Sequence, residues 1–178
     1  MDVSDTDLAL AAAGGDAAAF ATLMAHCYDK LFRLAFRLTG SKHEAEDLTQ
    51  DICAALPAKL RAYRGEAQFM TWLYRIAVNA AHDRRRRAAS HMRATTGWGD
   101  WEQMRQAADA QSAAEVKWLS KAMRHLPDDL SDTLALVLDD MTHREAGAVL
   151  GVSEGTISWR ISEAKKHLRI LRKTEDQI

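Results

Sequence analysis

The 178-residue sequence predicts an all-α protein: two small helical domains joined by a flexible linker, the C-terminal one a helix-turn-helix. Three observations lead there. Apolar residues recur at steps of three and four along most of the chain, the period of an amphipathic helix. There are only 9 Gly and 2 Pro, too few turn-formers for a protein built from hairpins. The periodicity fades once, in the middle of the chain. The expected boundaries are a domain over 1–93, a linker over 94–112 and a domain over 113–178.

The first predicted helix covers 16–39, with Phe20, Leu23, Met24, Cys27, Leu31, Leu34, Ala35 and Leu38 on one stripe. Asp16 suits its N-cap and Gly40 the position just past its end. Ser41, with Glu44 three residues on, caps a second helix carrying Ala45, Leu48, Ile52 and Leu56. Pro57 is expected to end or kink it, because proline lacks an N–H and crowds the preceding turn. Residues 61–66 read as a loop centred on Gly65. A third helix, about 67–87, buries Phe69, Trp72, Leu73, Ile76, Ala77 and Ala80, while Arg75, Asn79, His82 and the run Arg84 to Arg87 lie off that stripe. Three helices suffice for a compact domain near the lower limit of independent stability.

In the linker, Trp98 and Trp101 either pack back on a neighbouring domain or anchor a partner protein. Beyond it, Val116, Leu119, Met123 and Leu126 form a stripe stopped by Pro127, and Leu130, Leu134, Val137, Leu138 and Met141 form the next. Thr142 with Glu145 caps a short helix carrying Ala146, Val149 and Leu150. Gly151 and Val152 turn the chain, and Ser153 caps a last helix on Ile157, Ile161, Ala164, Leu168 and Leu171.

Composition narrows the function. Hydrophobic residues make up 47% and charged residues 28%, ordinary for a globular protein. No apolar run approaches the roughly 20 residues of a membrane span. The acidic start Met1-Asp2-Val3-Ser4-Asp5 lacks the pattern of a secretory signal, so a cytoplasmic location is expected. Cys27 and Cys53 fall at apolar helical positions and read as buried thiols. There is no Gly-rich phosphate loop, HExxH or CxxC, and the seven histidines are scattered. No catalytic centre, metal or cofactor is expected.

Charge is strongly segregated beneath a net −1. Residues 1–60 carry −4, residues 61–93 carry +6, residues 94–141 carry −5 and residues 142–178 carry +2. A basic stripe is the footprint of a polyanion binder, and here two of them coincide with helices suited to nucleic acid. In the C-terminal helix-turn-helix, the residues that would face a major groove are Ser153, Glu154, Thr156, Ser158, Trp159 and Arg160. Lys165, Lys166, Arg169 and Arg172 follow within reach of phosphates. The third helix combines Phe69, Trp72 and Tyr74 with Arg75, Asn79 and His82, as single-strand binders combine stacking with a cationic groove. A core role for Trp72 competes with that reading.

The stretch from Phe69 to Asn79 resembles the promoter-melting helix of extracytoplasmic-function sigma factors of the sigma-70 family. So do Arg37-Leu38-Thr39-Gly40, the run Ala45 to Asp51, and Tyr63-Arg64-Gly65-Glu66. Leu126-Pro127, the run Gly151 to Ile157, and the spacing to Arg160 and Ala164 match the family's C-terminal domain. The resemblance implies a factor that binds core RNA polymerase and directs it to promoter DNA, under control of an anti-sigma partner. It implies that Arg64, Gly65, Glu66, Gln68, Arg75, Asn79, His82, Arg84 and Arg85 open the −10 element and hold unpaired bases. It assigns −35 recognition to Ser153, Thr156, Ser158, Trp159, Arg160 and Lys165, and polymerase docking to Asp47, Gln50 and Asp51. The free chain is expected to be monomeric.

The sequence departs from the family at Pro57, where a large aromatic is usual, and at Ser158, Trp159 and Glu163, which leave the recognition helix less basic. Gly147 replaces a common alanine and is expected to weaken its helix slightly. Two other classes compete: a helix-turn-helix regulator that ignores polymerase, which has no need of the 72–79 segment, and a protein-only adaptor, which has no need of the +6 segment.

Overall fold

A computed structural model describes residues 4–94 and 111–175. Among them are eight helices and no strand: α1 (Asp5–Ala13), α2 (Ala17–Thr39), α3 (Lys42–Leu60), α4 (Phe69–Ala94), α5 (Gln111–Met123), α6 (Asp128–Val137), α7 (His143–Leu150) and α8 (Glu154–Glu175). Most of the expected linker, with Trp98 and Trp101, lies outside the described residues.

The ends of α2 and α3 follow local chemistry. The Asp16 carboxylate accepts from the Ala18 and Ala19 N–H groups at 2.9 and 3.0 Å. Gly40 takes the left-handed conformation at φ 67° that stops α2. Ser41 then accepts from the Glu44 N–H. Leu23, Cys27, Leu31, Leu34 and Ala35 of α2 meet Leu48 and Leu56 of α3 with no exposed surface.

Three features differ from the sequence expectation. Helix α1 was not anticipated. Its alanine-rich sequence has no polar face to create a period, yet Leu8 and Ala9 are buried. Asp5 pairs with His26 at 2.9 Å, and the Thr6 hydroxyl accepts from the Phe69 N–H at 3.3 Å. Second, Pro57 neither ends α3 nor stops it short: the helix continues to Leu60. Pro57 faces solvent, where water can satisfy the carbonyl that loses its N–H partner, while Leu56 and Leu60 hold the last turn to the core. Third, α4 begins at Phe69 and runs to Ala94, so the four arginines sit inside the helix rather than at its end.

Helix α4 is buried on more than one side. Phe69, Leu73 and Ala77 pack into the first domain's core, and Tyr74, Val78 and Ala81 are also at most 5% exposed. Trp72 is half-buried at the core's rim, its ring 5.0 Å from Tyr63 and 5.9 Å from Phe69. Helix α6 is likewise enclosed: Leu130, Leu134, Ala135 and Leu136 are buried, and so are Ser131, Asp132 and Thr133. It packs on α8 and on α2 together. Val116 and Leu138, expected on apolar stripes, are instead 59% and 41% exposed.

The helix-turn-helix is α7 and α8. Thr142 and Glu145 form the expected reciprocal box, and Gly151 closes α7 in the left-handed region at φ 69°. Gly147 does more than weaken a helix. A Cβ there would lie 2.7 Å from the Val152 carbonyl oxygen, so the missing side chain lets α7 approach the turn.

Candidate nucleic-acid interface

Helix α4 and the loop before it position nine of the predicted DNA-contacting residues. Tyr63 is buried and donates its O–H to the Ala67 carbonyl at 2.6 Å, which fixes the loop. Gly65 sits at φ 73°, with Leu10 of α1 beneath it. Arg64, Glu66 and Gln68 are exposed around it. About two and three turns into α4, Arg75 and Asn79 are exposed on the same face, with His82 one turn further on and Arg85 at its edge, while Arg84 lies on the opposite side, against Asp51 of α3.

This face is not bare. Arg75 donates to the Ala148 carbonyl of α7 from Nε at 2.9 Å and from Nη2 at 2.5 Å. His82 is hydrogen-bonded to Asp132 of α6. Arg85 reaches Asp128 and Asp132, each at 2.7 Å. Beside them Tyr74 donates its O–H to Asp139, and Arg37 of α2 pairs with the same carboxylate at 2.5 Å. At the other edge Arg124 donates to the Gly40 carbonyl at 2.6 Å. The Asp132 and Asp139 side chains are only 2% and 5% exposed.

The electrostatics follow. Burial raises the Tyr74 phenol above its ordinary value, and its hydrogen bond to Asp139 raises it further. Burial works to lower the Arg85 guanidinium, but Asp132 and Asp128 outweigh it and leave the pKa raised. A cavity of about 490 Å³ lies between the domains, lined by Arg37, Arg84, Arg85, Arg87 and Arg124 among others.

The residues that sequence reasoning missed are Asp128, Asp132, Asp139, Arg37 and Tyr74 in this role. Charge segregation was their signal: the acidic 94–141 segment supplies the partners of the basic 61–93 segment.

On α8 the predicted recognition residues divide by use. Ser153 and Thr156 serve the cap, the Ser153 hydroxyl accepting from the Thr156 N–H at 3.1 Å. Ser158 hydrogen-bonds His143 at 2.9 Å. Trp159 stands 58% exposed and Lys165 is exposed. Arg160 is mostly covered, its Nε 3.4 Å from Asp129. Of the three predicted docking residues, Gln50 is exposed, Asp47 lies 3.8 Å from His43, and Asp51 pairs with Arg84 across from α4. That pair brings together two residues assigned to different partners.

Cys27 is buried, but Cys53 is only half-buried, so the expectation for the second thiol was too strong. Among the described residues no His, Cys, Asp and Glu cluster could hold a metal, and no helix is long and apolar enough to cross a membrane.

Two family descriptions match the chain. The family description "Sigma-70 region 2" matches residues 23–91, and "Sigma-70, region 4" matches residues 117–168. The chain is 30% identical to the ECF RNA polymerase sigma factor SigW of Bacillus subtilis, over 87% of this chain and 89% of that one. It is also 30% identical to SigM of Mycobacterium tuberculosis, over 93% and 83%. Among solved structures it resembles CnrH in complex with the cytosolic domain of CnrY, with TM-score 0.72, 25% identity and coverage of 96% and 97%. The sigma factor RpoE from Bartonella quintana, solved with the anti-sigma factor NepR, shares the fold at TM-score 0.66 and 22% identity, with coverage of 86% and 96%.

Proposed function

We propose, from the premise that this chain belongs to the extracytoplasmic-function sigma factors of the sigma-70 family, a division of promoter work between its two helical domains. The protein directs core RNA polymerase to its promoters. It acts by binding, in the cytoplasm, with no chemistry of its own. The first domain, taken as 1–93, opens the −10 element, and the last, taken as 113–178, reads the −35 element across the intervening 94–112 segment.

The observation that carries the residue assignment is the α4 face. Arg75, Asn79 and His82 lie one turn apart on one face of α4, off the apolar core, and the Gly65 loop leads into that helix. Holding an unpaired base costs a few kcal/mol of lost stacking, so a prepared pocket with cationic walls is required. Asn79 offers an amide that can both donate to and accept from a base edge. Arg64, Glu66 and Gln68 would contact the flipped base from the loop, and Arg84 and Arg85 the backbone. On α8, the exposure of Trp159 supports a contact with a thymine methyl or a sugar edge, with Ser158 and Lys165 adding polar contacts. Asp47, Gln50 and Asp51 present the acidic side of α3 to the polymerase.

An inhibitory protein partner is supported by the likeness to CnrH, solved in complex with the cytosolic domain of CnrY, and by the fold shared with RpoE, solved with the anti-sigma factor NepR. The arginine-lined cavity between the domains is the place where an acidic inhibitory segment would fit.

The test is transcription by purified core polymerase with this chain on its cognate promoter, run with permanganate footprinting of the open bubble. Asn79→Ala should reduce opening at least tenfold while polymerase binding stays within about twofold, a split expected when a contact forms only in the melted state. Equal opening by the variant and the parent chain removes Asn79 from the role.

A further inference from the structure

We propose that the second domain serves as an internal stand-in for promoter DNA. With Asp128 and Asp132 of α6, Asp139 just past its end and the Ala148 carbonyl of α7, it covers the cationic wall of the α4 face and weakens the isolated chain's hold on nucleic acid. The inference rests on the assignment of that face to DNA.

Four contacts carry it. Arg75 is held by a carbonyl of α7, His82 and Arg85 by Asp132, and Arg85 again by Asp128. Asp139 takes Arg37 and the Tyr74 hydroxyl, with Arg33 3.6 Å away at the edge. Each acceptor is an oxygen, and each occupies a donor that phosphate or base oxygen would need. The second domain therefore competes with DNA for the N–H groups of Arg75, His82 and Arg85.

The competition is balanced by solvation. Asp132 and Asp139 are almost wholly buried, and a buried carboxylate is costly unless paired. Opening returns both to water and releases the guanidiniums together, so the change is all-or-none along α6 rather than contact by contact. Asn79 and the Gly65 loop make none of these clamp contacts, so part of the site stays accessible while its cationic wall is covered. An anti-sigma partner would then stabilise a closure the chain already makes.

The experiment uses the full chain. Asp132→Asn with Asp139→Asn keeps side-chain shape and removes the charge that holds the arginines. Small-angle scattering should show a larger radius of gyration. Affinity for a fluorescent single-stranded oligothymidine should rise: if nine chains in ten are closed, opening raises apparent affinity by about tenfold. Asp7→Asn with Asp29→Asn removes two exposed charges on α1 and α2, away from these contacts, and should reproduce neither change. Because buried substitutions can impair folding, Arg124→Ala gives a second route. It removes only the bond to the Gly40 carbonyl, at the exposed edge, and should loosen the domains to a smaller degree. Unchanged dimensions in both variants overturn the clamp, and larger dimensions without tighter binding overturn its role in covering the site. Core polymerase binding by the parent chain is measured alongside. Its failure would sink the sigma-factor reading without touching the scattering result.

Discussion

Cys27 has no exposed surface, and burial drives its thiol up to about 11 from the ordinary 9.0, with Cys53 and Asp5 adding to the rise. A raised thiol pKa has a definite sign. Below pH 9 both folded and unfolded chains carry the neutral thiol and nothing changes. Between about 9 and 11 only the unfolded chain ionises, so stability falls, by at most about 3 kcal/mol. Urea midpoints measured across that interval should fall more steeply for the parent than for Cys27→Ala; parallel curves would mean the thiol is not protected. Glu145 shows the opposite sign. Hydrogen bonds from the Thr142 hydroxyl and N–H lower its pKa, so its contribution is present above the ordinary carboxylate range and lost as pH falls through the lowered value. Thr142→Ala breaks the box and should cost about 1 kcal/mol of stability in a denaturant melt at pH 7, and less at pH 3. A cost that does not shrink on acidification would separate the box from the Glu145 charge. At this scale the sequence was readable wherever the partner is near. Asp16, Ser41, Thr142 and Gly151 act on backbone within four residues. The partners of Tyr74 and His82 come from 65 and 50 residues away, and no local pattern announces them.

Helices were legible in proportion to the contrast between their faces. Helix α2 has one apolar stripe and was read to within a residue at both ends. Helix α1 has no contrast, since its alanines are apolar all round, and it escaped. Helix α4 has two buried sides, one facing its own domain and one facing the other, so a reading that sought a single stripe left Tyr74 off it and counted it among stacking aromatics. Pro57 shows a local rule yielding to context. Proline in an interior turn disfavours a helix by about 3 kcal/mol relative to alanine, but Leu56 and Leu60 are wholly buried and hold the turn in place. The strain remains although the helix does not break. Pro57→Ala should therefore stabilise the first domain by about 1–3 kcal/mol, seen as a higher urea midpoint with an unchanged slope. A neutral or destabilising result would show that α3 has relaxed around the ring.

Over the whole molecule, segregated charge is the property that sequence and structure share. The reading from composition took the +6 segment as a site for an external polyanion. That polyanion has a rival within the chain, because the −5 segment supplies Asp128 and Asp132 to the same arginine and Asp139 to its neighbours. Composition could count these charges but not place them across a connection whose path no periodicity fixes. The rivalry predicts an unusual salt response. Binding to single-stranded DNA weakens with salt by about 0.7 of a unit of logarithmic slope per phosphate neutralised. Salt also weakens the exposed part of the clamp, the Asp128–Arg85 pair, whose carboxylate is 67% exposed. In the parent chain the second effect opens molecules as the first releases DNA, and the two partly cancel. Asp132→Asn with Asp139→Asn has little clamp left to lose, so its affinity for single-stranded DNA should fall more steeply between about 0.05 and 0.2 M salt, by up to about one unit of slope. Titrations of both chains against the same labelled oligonucleotide decide it. The two lines should converge at high salt, because there the clamp has already given way in both.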